Sequence, residues 1–340
     1  MVREKDKVAY IEGMIENAPP KFYYKKWKVP SSPSPRKKPI DATRSQILAP
    51  LDEVFFDDAL MDELIVHTSI PQLLEGKPPI YPGVILFGPP GTGKSEFQRA
   101  VRQVYAGRGA YAADAPTAQI NSQYVGAAAK TLDSVLHEVN EEGEARHLPS
   151  FVSFDEGSIF AQKAEDGAFS VSKHYQELID VFKSYIGNEC GRWLVLSIST
   201  NLLPEDFEQA MIREGRLASF LIDYPKRREV ARMWKHFLKK YGVLDLNDEE
   251  ADRTAQIADG QYGAFIEQFC RGYEELRRQR LLKEKGYSNL LEALKRDNDV
   301  SKLEIRASTD FNTFINDLTT YIKSREERDR IEEKSRVGFR

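Results

Sequence analysis

Short, unbroken apolar runs alternate with amphipathic stretches through the middle of this chain, and that alternation predicts the architecture. The runs at 83–87, 150–154 and 193–199 are continuous enough to be strands buried on both faces, and 117–121 is a further strand candidate. Between them, the spacing of apolar positions predicts helices near 57–69, 94–105, 131–140 and 173–185. Strands that alternate with helices imply an α/β domain with a parallel sheet covered on both sides. After Tyr224-Pro225 the strand signal stops, and 226–241, 248–258, 263–285 and 311–334 all read as helices. A small all-helical lid domain is therefore expected to follow the α/β one.

The first fifty residues break this pattern. Ala18-Pro19-Pro20 and the stretch from Pro30 to Pro39 carry proline at a density that removes backbone donors and fixes φ, which predicts an extended linker. The expected division is a basic, Pro-rich arm at 1–45, an α/β nucleotide-binding domain at 46–225, and a helical lid with a charged C-terminal helix at 226–340. Charge sharpens the division. The net charge is −4, but residues 1–50 hold eleven Lys/Arg against five Asp/Glu, so the arm is basic and the remaining 290 residues carry about −10.

Composition removes several classes of protein. With 41% hydrophobic residues the 340-residue chain is not disordered throughout, and Cys190 and Cys270 are too few for a disulfide scaffold. No apolar run approaches the roughly 18–20 residues that a bilayer span requires, and the alternating charges of residues 1–10 do not open a signal peptide. A soluble cytoplasmic protein without a membrane span is expected. The five histidines are scattered and neither cysteine has a partner at metal-ligand spacing, so no zinc site is implied.

The candidate chemistry begins directly after the first strand. Gly88-Pro89-Pro90-Gly91-Thr92-Gly93-Lys94-Ser95 fits G-x-x-x-x-G-K-[ST] between a strand and a helix, the context that a phosphate-binding loop needs. Its glycines let backbone N–H groups and the positive helix end face an anion, with Glu96 as the next residue of the site. Lys94 can reach the β- and γ-phosphates of a nucleotide, and Ser95 can offer its hydroxyl to Mg²⁺. The strand at 150–154 ends in Asp155-Glu156, about 60 residues downstream. One carboxylate there can face the Mg²⁺ shell while the other polarises water for attack on the γ-phosphate.

These residues resemble the ATPases associated with diverse cellular activities, the narrow AAA clade of the AAA+ superfamily. Gly88–Ser95 is similar to that family's Walker A and Asp155-Glu156 to its Walker B. Asn201, at the end of Ser199-Thr200-Asn201, is similar to sensor 1, and 208–217 resembles the family's second region of homology. The resemblance covers roughly 51–277 with the motifs in the family's order. It implies an ATP- and Mg²⁺-dependent ATPase in which Glu156, Lys94 and Asn201 are catalytic, while Arg213 and Arg216 enter the site of a neighbouring subunit. Homo-oligomers, commonly hexamers, are implied with it. Gly263 and Ala264 stand where the family packs a Gly-Ala-Asp stretch near the adenine, although Phe265 replaces the Asp. Tyr124, Val125 and Gly126 resemble the pore loop that grips a polypeptide substrate, although Ala127-Ala128-Ala129 follows in place of the usual Gly-Glu-Ser pattern.

What the motor acts on stays open at this stage. The pore-loop resemblance implies a machine that unfolds or disassembles proteins, and a weaker similarity to Rubisco activase implies a remodeller of one specific enzyme. The arm permits a different class. Lys25, Lys26, Lys28, Arg36, Lys37 and Lys38, interleaved with Tyr23, Tyr24 and Trp27, suit either an acidic protein partner or a nucleic acid.

Overall fold

A computed structural model of the chain describes residues 43–115, 127–155, 169–186, 191–207, 211–212, 216–261, 263–284, 286 and 310–337. The expected strand at 117–121, and the arm before residue 43, lie outside them.

Five strands form one parallel sheet: β1 (Gly83–Phe87), β2 (Ala112–Asp114), β3 (Ser150–Phe154), β4 (Leu194–Thr200) and β5 (Ala218–Leu221), in the order β2-β3-β4-β1-β5. β3 pairs with Ala112–Asp114, and β5 is a strand that the apolar pattern did not announce. Every residue of β1, β3 and β4 is buried. Continuous apolar runs are what a strand covered on both faces demands.

Residue alternation sorts the strands' side chains to two cores. Val84, Leu86, Phe151 and Val195 pack under the helix α4 (Lys94–Gly107) with Phe97, Val101 and Val104. That side is closed by α1 (Arg44–Leu48), α2 (Asp58–His67) and α3 (Ile70–Glu75), whose Ile47, Leu64, Ile70 and Leu73 join the same core. Ile85, Phe87, Val152, Phe154 and Ile198 face the other way, against α5 (Ala127–Arg146) and α6 (Phe169–Tyr185).

Beyond β5 the described chain is helical: α7 (Arg227–Lys240), α8 (Asp248–Ile257), α9 (Gly263–Glu284) and α10 (Phe311–Val337). They surround the fully buried Trp234, whose ring meets Phe269 at 5.7 Å and Phe314 at 6.0 Å, edge to face. Phe265 belongs to this core, under the Arg325 guanidinium. The basic outer side of α7 is tied to α8 and its leading turn through Arg227–Asp252 and Lys235–Asp248. Among the described residues no helix is long and apolar enough to cross a membrane.

Candidate functional site

In a parallel sheet, ligands sit beyond the carboxyl ends of the strands, at the point where connections leave in opposite directions. Here the chain leaves β1 toward β2 on one side, and β4 crosses to β5 on the other. The loop between β1 and α4 lies at that point. Gly88 has φ +143°, and a Cβ built there would stand 2.0 Å from the Ile222 carbonyl oxygen, so the loop starts in a conformation and a space that only glycine accepts. Gly93, at φ +97°, turns the chain directly into α4, and the helix N-terminus opens on the loop.

Lys94, the first residue of α4, is buried to 6% exposure. Its Nζ donates to the carbonyl oxygens of Gly88 and Pro89, each at 2.7 Å, and to Asn201 Oδ1 at 3.0 Å. Burial pulls its pKa below the ordinary lysine value, and the charge of Asp155 acts in the opposite sense. A phosphate oxygen would be a stronger acceptor for this ammonium than two neutral carbonyls. One residue on, Ser95 Oγ donates to Asp155 Oδ1 and Oδ2 at 3.0 and 3.1 Å, and Ser199 Oγ donates to Asp155 Oδ1 at 2.6 Å. Hydrogen bonds therefore join Lys94 to Asn201 and the adjacent Ser95 to Asp155, bringing together segments that are 46 or more residues apart along the sequence.

The donor set is all oxygen. Hydroxyl and carboxylate oxygens suit a hard cation such as Mg²⁺, which usually keeps waters and takes the remaining oxygens from phosphates. Among the described residues there is no cluster of three or more His, Cys, Asp or Glu placed to hold a metal alone. That is expected if phosphates complete the shell.

A cavity of about 680 Å³ continues from this cluster to the helical region, and Pro90, Gly91, Thr92, Gly93 and Glu96 line its near end. Gly263 and Ala264 line the far end, while Phe265 turns into the helical core. Several lining residues have no motif behind them. Phe55 meets His236 at 5.3 Å and Phe237 at 6.1 Å, making an aromatic slot that Met233 adjoins. His236 Nε2 is buried with no hydrogen-bond partner among the described residues, and burial holds the imidazole below its usual pKa. At the rim, Glu53 meets Arg99 of α4 at 3.3 Å and Lys240 of α7 at 3.7 Å, and Arg99 also pairs with Glu96. No local pattern could reveal this far wall, because it is assembled from segments about 180 residues apart.

Of the remaining candidates, Glu156, Arg213, Tyr124, Val125 and Gly126 lie outside the described residues. Arg216 is described; it is half-buried just ahead of β5 and does not line this cavity.

Comparison with known proteins points the same way as the geometry. Residues 84–222 match the family described as "ATPase family associated with various cellular activities (AAA)". Spastin of Drosophila persimilis is 27% identical over 208 residues, which is 61% of this chain and 25% of that protein. Spastin of Drosophila mojavensis gives the same identity over the same length. The human ATPase family gene 2 protein homolog A is 28% identical over 189 residues, 55% of this chain and 20% of that protein. The chain thus matches about a quarter or less of the length of these relatives.

Proposed function

We propose that this chain, whose residues 84–222 match the AAA family of ATPases, hydrolyses ATP and uses the cycle to remodel a protein substrate within a homo-oligomer. One observation carries the proposal: the pairs Lys94–Asn201 and Ser95–Asp155 lie side by side at one end of a cavity whose other end reaches Gly263 and Ala264 of the helical region. A nucleoside triphosphate has the matching polarity, with anionic phosphates at one end and a flat base at the other.

In this reading Gly88–Gly93 cradle the phosphates with backbone N–H groups, and Lys94 gives up its carbonyl partners for β- and γ-phosphate oxygens. Ser95 and Asp155 would hold Mg²⁺, which when bound neutralises phosphate charge. Glu156 takes a proton from the attacking water, and Asn201 orients that water. The base lies in the slot of Phe55, His236 and Phe237. Arg213 and Arg216 act on the phosphates of the adjoining subunit, where a guanidinium fork is worth on the order of 10³–10⁵ in rate. Tyr124, with Val125 and Gly126, grips the polypeptide. A hexamer is the expected assembly, with the basic arm recruiting an acidic partner.

Glu156→Gln should bind ATP without turning it over. Purified with ATP, this variant is expected to form a larger species on size exclusion and to co-purify a protein. Recovery of nucleic acid alone would replace the protein-remodelling reading with a DNA-directed one.

A further inference from the structure

The carboxylate of Asp155 is held from two sides by hydroxyls of unlike character. Ser95 approaches from the first turn of α4; it is exposed, and its 3.0 and 3.1 Å contacts leave it able to rotate toward another ligand. Ser199 approaches from within the sheet. It is 1% exposed, its residue is paired in register with Leu86 of β1, and its 2.6 Å contact lies in the short range of a hydroxyl donating to a carboxylate.

The placement follows from strand register. Phe154 of β3 pairs with Ile198 of β4, so one step further along the parallel strands sets Asp155 beside Ser199. Alternation puts Val195, Ser197 and Ser199 on the face of β4 under α4. Ser197 is occupied there: its hydroxyl and carbonyl accept from Gln98 Nε2 at 3.1 and 3.0 Å. A buried hydroxyl without a partner is destabilising, which makes a second polar residue in this core expensive unless it is used. Two residues on, Asn201 accepts from Lys94, so the end of β4 fixes both the phosphate-binding cation and the carboxylate.

We propose that Ser199 is a positioning residue for the divalent cation of the nucleotide site. Its buried hydroxyl fixes one oxygen of Asp155, so that the carboxylate stays oriented when Ser95 turns to the metal. This inference rests on the ATP-binding reading above. It assigns the Mg²⁺ dependence of nucleotide binding in part to a side chain that never touches the metal, through the orienting effect that outer-shell hydrogen bonds have on carboxylate ligands.

The test is a fluorescence titration with ribose-labelled ATP, carried out in Mg²⁺ and in EDTA, on the full chain, Ser199→Ala, Ser199→Thr and Lys94→Ala. For Ser199→Ala the EDTA affinity should match the parent, while the tightening on adding Mg²⁺ shrinks about tenfold. Ser199→Thr, which keeps the hydroxyl, should restore it. If the alanine variant fails to fold, the near-isosteric pair Ser199→Thr and Ser199→Val carries the same comparison. An unchanged Mg²⁺ gain in Ser199→Ala, or an equal loss with and without Mg²⁺, overturns the assignment. A parent chain that binds no better than Lys94→Ala overturns the ATP-binding reading itself, and that outcome is distinct from either.

Discussion

His236 stands where the lid helix meets the cavity, with Phe55 and Phe237 against its ring and Glu53, Glu267 and Lys240 as its charged neighbours. Burial is the largest influence on it and disfavours the imidazolium, so its pKa in the folded chain is below the usual value of 6.5. Below pH 6.5 the unfolded chain therefore takes up a proton that the folded chain resists. Stability should fall as pH drops from about 6.5 toward the depressed value, and be unaffected by this group above about pH 6.5. Melting temperature measured from pH 8 to 5 should show that decline, and His236→Phe should flatten it. Lys94 makes a different residue-scale prediction. Its cradle is two carbonyls at 2.7 Å around a compact ammonium, so Lys94→Arg keeps the charge but not the fit. Its ATP affinity should drop at least about tenfold, as far as that of Lys94→Ala, by the same fluorescence titration.

At the scale of elements, β1 and β5 hold the phosphate loop by a single close approach. Ile222 N donates to Phe87 O at 2.7 Å, and Gly88 lies directly against the Ile222 carbonyl. Gly88→Ala would combine a disfavoured φ with a backbone clash at the end of both strands. A loss of about 3 kcal/mol or more in urea unfolding is expected, together with loss of nucleotide binding. Legibility from sequence follows the same division of local and long-range causes. The runs that became β1, β3 and β4 were readable because strands covered on both sides must be apolar throughout. The phosphate loop was readable because Gly88 and Gly93 meet local backbone demands. Ala112–Asp114 and Ala218–Leu221 are short and carry mixed residues, and their strand conformation comes from pairing with β3 and β1. The slot of Phe55, His236 and Phe237 was hidden for a related reason: an aromatic residue in a helix, as His236 and Phe237 are, or in a loop, as Phe55 is, looks the same whether it faces a core or a ligand.

At the scale of the whole molecule, residues 53–58 and the helical region are joined by the charges that frame the cavity. Glu53 bridges Arg99 and Lys240, and Asp58 meets Arg228 and Arg232 of the lid helix. These pairs range from about 40% to 76% exposed and are individually weak, so they bias the position of the helical region without locking it. In the ATPase reading, these pairs would add little to the cost of opening, and something further would complete the site for hydrolysis. On the proposed function, that something is a second copy of the chain. Arg216 does not line the cavity of its own chain, so its removal should leave ATP binding intact and abolish turnover. Lys94→Ala should abolish turnover too, but from the opposite side of the interface. Neither variant alone should hydrolyse ATP. In an equal mixture, about a quarter of the interfaces would join an intact phosphate loop from an Arg216→Ala subunit to an intact arginine from a Lys94→Ala subunit. Activity should therefore reappear on mixing, toward about a quarter of the parental rate if the sites act independently. It should also fall more steeply than linearly on dilution. A mixture as inactive as its components would place Arg216 outside the catalytic interface.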